Sequence, residues 1–168
     1  MVELPESVLP LFVAAGWYPG RRVAVSPAVP DDHPAAAILA AFGGLTVARP
    51  EDTQGEECGV DDLAFRELFP HPAILDLDVW AGLLDTRLIG VADIHYDHAE
   101  WYVATDGRVF GRSRVHDAFW LAGDSFAEAA ERSLFGRRVR PLLRPDQDFV
   151  KLYGALFTPD NPLVYRYR

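Results

Sequence analysis

The stretch Trp101-Tyr102-Val103-Ala104-Thr105-Asp106-Gly107-Arg108-Val109-Phe110-Gly111 decides how the fold is read. Two apolar-rich runs, Trp101 to Thr105 and Arg108 to Gly111, flank Asp106-Gly107. An Asp-Gly pair between β-prone runs signals a two-residue type I′ turn, because both of its central residues need positive φ. The wider segment from Leu88 to Arg112 extends that hairpin into an antiparallel meander. Downstream, Ser125-Phe126-Ala127-Glu128 spells the S-x-x-E capping box of a helix start. The helix it opens carries Phe126, Ala129, Ala130, Ser133 and Leu134 on one face and stops at Gly136.

Upstream, Ser7 to Gly16 reads as a short helix with Val8, Leu11, Phe12 and Ala15 inward, Ser7 as its cap and Pro10 in its first turn. Trp17-Tyr18-Pro19-Gly20-Arg21 is a turn anchored by aromatic area. A second helix begins at Asp32 with Pro34 near its first position, turns Ile38, Leu39 and Phe42 inward, and ends at Gly43-Gly44. Leu45 to Ala48 reads as a strand and Arg49 to Gly59 as a loop. Between Asp62 and Leu77 lie one or two strands broken at Pro70 and Pro72, then a helix over Val79 to Leu84.

These elements predict a single α+β domain, a central antiparallel sheet flanked by helices, with no repeat and no dividing linker. Residues 1–136 form the patterned part and residues 137–168 an appendage packed on the same domain. The apolar runs Leu156-Phe157 and Leu163-Val164-Tyr165 leave open whether the tail meets its own core or a second copy, so monomer and homodimer both stand.

Hydrophobic residues make up 49% of the 168 and charged residues 24%, an ordinary globular balance. A chain of this length buries roughly 70% of its unfolded surface, enough for a core without disulfides or structural metal. Cys58 is the only cysteine, which excludes a disulfide framework and every cysteine zinc finger and fits a reducing compartment such as the cytoplasm. The acidic start Met1-Val2-Glu3-Leu4-Pro5-Glu6 does not read as a signal peptide. No apolar run reaches the length of about 18 residues that a membrane span requires.

The net charge of −9 is unevenly spread. Residues 1–100 hold 5 Arg against 17 acids, −12, and residues 101–168 hold 11 basic residues against 8 acids, +3. Such a balance repels nucleic acid and anionic membranes. The acidic run Glu51, Asp52, Glu56, Glu57, Asp61 and Asp62 has no Lys or Arg within it and reads as a docking surface for a cationic protein, with a solvated loop as the plainer reading.

Sequence motifs of enzymes are absent: there is no GxGxxG, GxxxxGK[ST] or GxSxG. Asp93, His95 and His98 could in principle hold a divalent metal, but residues three apart on a strand point to opposite faces and the Glu of a zincin helix is missing, so the segment reads as a polar hairpin end. Ser113, His116 and Asp117 cluster locally, whereas triad members converge from separate elements. Cys58 sits beside Glu56 and Glu57, which raise a thiol pKa instead of activating it. Arg137, Arg138, Arg140 and Arg144 lack interleaved aromatics and read as helix-end and surface charges, not an RNA site. No catalytic residue, metal or cofactor is assigned.

Ala15-Gly16-Trp17-Tyr18-Pro19-Gly20-Arg21, then Phe42-Gly43-Gly44-Leu45-Thr46-Val47, then Asp106-Gly107-Arg108-Val109-Phe110, in that order, resemble the SUKH-3 branch of the SMI1/KNR4-related SUKH superfamily. With the Ser125 to Gly136 helix the resemblance covers most of residues 5–136. It implies a bacterial immunity protein of a polymorphic toxin system, a non-catalytic α+β module that binds and silences a cognate toxin domain of nuclease or nucleic-acid deaminase type. An adaptor or regulatory module that binds another host protein is the alternative. Gly16, Trp17, Pro19, Gly20, Arg21, Phe42, Gly43, Gly44, Asp106 and Gly107 are read as defining the fold and the acidic run as the toxin contact. An enzyme acting on polyanionic nucleic acid presents a cationic cleft, so an acidic inhibitor docks on it quickly.

Overall fold

A computed structural model describes residues 2–51, 54–69 and 75–167. Asp52 of the acidic run and the strand-breaking Pro70 and Pro72 lie outside them. The elements run α1 Leu9–Ala14, α2 Pro34–Phe42, β1 Thr46–Val47, β2 Leu63–Leu68, α3 Leu75–Leu83, β3 Ile89–Ile94, β4 Ala99–Val103, β5 Val109–Ser113, β6 Phe119–Gly123, α4 Phe126–Phe135, β7 Arg140–Leu142, β8 Val150–Leu152 and β9 Ala155–Phe157. Strands β1 to β7 form one antiparallel sheet in chain order, and β8 pairs with β9 in a separate hairpin. The α+β class and the central antiparallel sheet are as the sequence predicts.

Alternation along the strands divides the core into two layers. On β6, Trp120 and Ala122 join the cluster beneath α1, α2 and α4, while Phe119 and Leu121 join the cluster beneath α3. The first layer centres on Phe12, Phe42, Phe65 and Phe126, with Phe42 and Phe126 stacked at 5.0 Å. Aromatic pairs of this kind add about 0.5–1.5 kcal/mol beyond the area they bury. The second layer stacks Trp80 on Phe119 at 4.5 Å and Phe119 on Phe110 at 5.5 Å. From the tail, Phe157 and Val164 are buried in the first layer and Tyr165 and Tyr167 pack on the second, while Leu156 and Leu163 stay exposed. Toward one end the α3 side of the sheet becomes polar. Asp93 and Glu100, opposite one another on β3 and β4, are both buried, and Arg66, Arg112 and Arg114 offset them.

Several local expectations need correction. The Asp106-Gly107 turn is not type I′: of its residues only Gly107 has positive φ, at 91°. The Ala104 N–H donates to Arg108 at 2.9 Å and the Gly107 N–H to Ala104 at 3.0 Å, a type I turn followed by a left-handed glycine. The Asp106 carboxylate stabilises it by accepting from the Arg108 N–H at 3.1 Å. The two-residue loop with both φ values positive occurs instead at Tyr153-Gly154, joining Leu152 to Ala155. Ser7 does not cap α1, whose N-cap is Val8 with no side-chain bond; the Ser7 hydroxyl donates across the molecule to Glu131. Helix α2 is capped by His33, whose Nδ1 accepts from the Ala35 N–H at 3.1 Å. Helix α3 begins before the expected Val79, at Leu75; of the one or two strands expected after Asp62, the described residues hold one, β2.

The residues of the two N-terminal motifs meet at the end of α2. The Arg21 guanidinium donates to the Ala41 carbonyl at 2.7 Å and the Gly43 carbonyl at 2.8 Å, filling acceptors that a helix end leaves unmet. Trp17 is half-buried against Phe42, and Pro19 and Gly20 form the exposed turn that brings Arg21 back. Gly16 and Gly44 both adopt positive φ.

Candidate functional site

Helix α4 is amphipathic and capped at both ends. The Ser125 hydroxyl accepts from the Glu128 N–H at 3.2 Å, and the Glu128 carboxylate accepts from the Asp124 N–H at 2.7 Å, one residue earlier than an ideal capping box. At the other end Gly136 turns left-handed, φ 64°, and the last carbonyls need donors from elsewhere. The acidic loop supplies them. Glu56 N–H donates to Phe135, Glu57 and Cys58 N–H to Gly136, each at 2.8 Å, and Asp61 N–H to Ser133 at 3.0 Å. The two segments lie so close that a Cβ on Gly136 would stand 2.2 Å from the Cys58 carbonyl oxygen.

Carboxylates at a helix C-terminus face the negative end of the dipole, so they need local compensation. Arg137 donates to both Glu56 oxygens, at 2.6 and 3.2 Å, and its guanidinium holds the Glu56 carboxyl below the usual range. Glu57 accepts from the Arg138 N–H at 2.7 Å and Asp62 from the Arg49 N–H at 2.8 Å. Asp61 lies 2.7 Å from His95 Nδ1; burial pushes its carboxyl up and His95 opposes that. Glu51 is exposed. The described acids therefore share one loop, but Asp61 turns toward the β3–β4 turn and Asp62 toward β1.

That turn is unusual in its backbone. His95, Tyr96 and Asp97 all adopt positive φ, 52°, 52° and 65°, a conformation disfavoured by about 1–2 kcal/mol per residue outside glycine. It brings the His95 and His98 rings to 5.5 Å. Asp93 lies on the α3 side of the sheet, ion-paired with Arg66, and so does not join the histidines. Among the described residues no three of His, Cys, Asp and Glu are grouped to hold a metal. The Ser113 hydroxyl accepts from the Val115 and His116 N–H groups at 3.1 and 3.0 Å, and Asp117 grips Arg144 with two bonds of 2.7 Å. The Ser113 and Asp117 side chains thus serve a turn and an ion pair, and neither bonds the His116 ring. Cys58 is half-buried, and burial pushes its thiol up.

A cavity of about 440 Å³ opens between the acidic loop, the β3–β4 and β5–β6 turns, the end of α4 and the β8–β9 hairpin. Sequence reasoning missed it, because its walls come from five separated segments. The one local clue was Tyr153-Gly154, a turn signal in a tail otherwise without periodicity. Arg137 and Arg138, which the sequence separates from the acidic run, are brought to it here.

Compared with known families, the chain matches the model described as SUKH-3 immunity protein over residues 4–136. No curated protein and no solved structure matches it. No helix among the described residues is long and apolar enough to cross a membrane.

Proposed function

Because this chain belongs to the SUKH-3 immunity protein family, we propose that it is a non-catalytic cytoplasmic binding protein that neutralises a cognate toxin of nuclease or nucleic-acid deaminase type. The observation that carries this reading is the family match across residues 4–136. The contact is the acidic loop, Glu51, Asp52, Glu56, Glu57, Asp61 and Asp62, facing the cationic cleft of an enzyme that handles polyanions. Support for the loop comes from how its acids are held. Glu57 and Asp62 are anchored by backbone amides, which order a carboxylate without cancelling its charge, and Glu56 remains 53% exposed beside Arg137. Ordered, exposed charge raises association rates and lowers the entropy lost on docking.

The test is capture of the tagged chain from its own lysate at low and high salt, with Glu57→Lys/Asp61→Lys in parallel. A toxin-like partner that leaves at high salt and is missed by the double variant is the expected result. A toxin partner indifferent to both moves the contact off this loop, and recovery of a housekeeping protein in place of a toxin overturns the immunity reading.

A further inference from the structure

The 440 Å³ cavity is large enough for a small ligand, and its polarity is the reverse of the molecule's. Its floor is apolar, formed by Ala118, Trp120 and Leu152. The acceptors around it are already engaged: Asp61 by His95, the Tyr153 hydroxyl by the Val139 N–H at 3.2 Å, and Ser113 by two backbone amides. Arg137 is bound to Glu56, and Arg132 to Glu128. Three lining side chains, His98, His116 and Lys151, form no hydrogen bond or ion pair among the described residues; Lys151 is a cation with donors only, and each imidazole offers an N–H donor beside its second nitrogen. All three are exposed at the rim, so a ligand there exchanges water for them, and an ammonium with two imidazole N–H groups above an apolar floor is complementary to a monoanion on an apolar body.

We propose that this cavity binds a carboxylate carried on an aromatic or aliphatic group, the apolar body lying on Trp120 and Ala118 and the carboxylate meeting Lys151, His98 and His116. A free organic acid and the C-terminal residue of a polypeptide share that chemistry. The site borders the proposed toxin contact, sharing Asp61 with it, but takes its ligand on other side chains, and it stands whether or not the immunity reading does.

The full chain titrated with phenylacetate and separately with phenylacetamide, followed by the indole N–H of Trp120 in a nitrogen-correlated NMR spectrum, tests this. Saturable shifts with phenylacetate alone are expected, weakened about tenfold in Lys151→Gln, the scale of one charge-assisted hydrogen bond. Lys151 is exposed on β8, and an unchanged melting temperature verifies that the variant folds. His116→Gln gives a second, weaker loss. N-acetyl-glycyl-phenylalanine and its amide then separate the sources: tighter binding of the free peptide acid than of phenylacetate assigns the site to a chain terminus, and weaker binding to a small acid. The proposal is overturned if phenylacetate fails to saturate, if the amide binds equally, or if folded Lys151→Gln binds as the parent does.

Discussion

Replacing Gly136 by alanine tests whether α4 holds the acidic loop. Two effects add. A left-handed φ costs a residue with a Cβ about 1–2 kcal/mol. In addition, the new carbon would lie 2.2 Å from the Cys58 carbonyl oxygen, where contacts under 3.0 Å essentially never occur, so the loop must retreat by the better part of an ångström. That retreat breaks the donations from Glu56, Glu57 and Cys58, each 2.8 Å long and worth a net of about 1 kcal/mol. The expected loss is about 4 kcal/mol, a large share of a typical domain's stability of about 5–15 kcal/mol. Gly107→Ala is the internal control. Its φ is also positive, at 91°, but nothing lies within 4 Å of the added carbon, so only the backbone term of about 1–2 kcal/mol applies. Urea denaturation gives both losses, and hydrogen exchange at the amides of residues 56–58 reports the loop directly. Equal losses in the two variants, or unchanged protection of those amides in Gly136→Ala, would refute the idea that the helix end and the loop are one unit.

Three further outcomes are expected. Burial lowers the His33 pKa below 6.5, and its Nδ1 must stay unprotonated to accept from Ala35, so its contribution to stability is complete above pH 6.5 and is lost as the pH falls from there through the lowered value. His33→Asn keeps a capping acceptor that does not titrate and flattens that decline in pH-dependent melting. Ser125→Ala removes the hydroxyl that accepts from Glu128 and lowers stability by about 1 kcal/mol, read as a shifted denaturation midpoint with an unchanged slope. In an NMR pH titration the Glu56 carboxyl changes charge below the ordinary glutamate value of 4.5, and Arg137→Gln moves it upward; the pair's contribution is therefore present above that value and lost as acid protonates Glu56.

What the sequence revealed was local, and what it concealed was the meeting of distant segments. The α4 helix was legible because Ser125, Glu128 and Gly136 each do their work within one turn of where they stand. The meander was legible from alternation and an Asp-Gly pair, although the turn type was not. Asp-Gly supports both a two-residue loop and a type I turn with a left-handed glycine, and the ladder ending at Val103 and Val109 selects the second. Ser7 looked like a cap because its neighbours form a helix, but Glu131, far along the chain, competes for its hydroxyl. The acidic run was read as free charge because pairing with Arg137 and backbone donation from Arg138 depend on the fold. The cavity left no periodic trace at all.

Strand order has a kinetic consequence. Every strand from β2 to β7 pairs with the strand that precedes it in the chain, and β3 to β6 are joined by short turns, so that meander closes with little entropy lost at each step. The aromatic cluster is different: Phe12 and Phe42 meet Phe126 only after the chain between them has been arranged. Refolding should therefore show early protection in β3 to β6, with α1 and α2 locking down last. A newly made chain would carry Phe12 and Phe42 covered only by one another and Phe65 until α4 arrives, and that interval is when it is most exposed to aggregation.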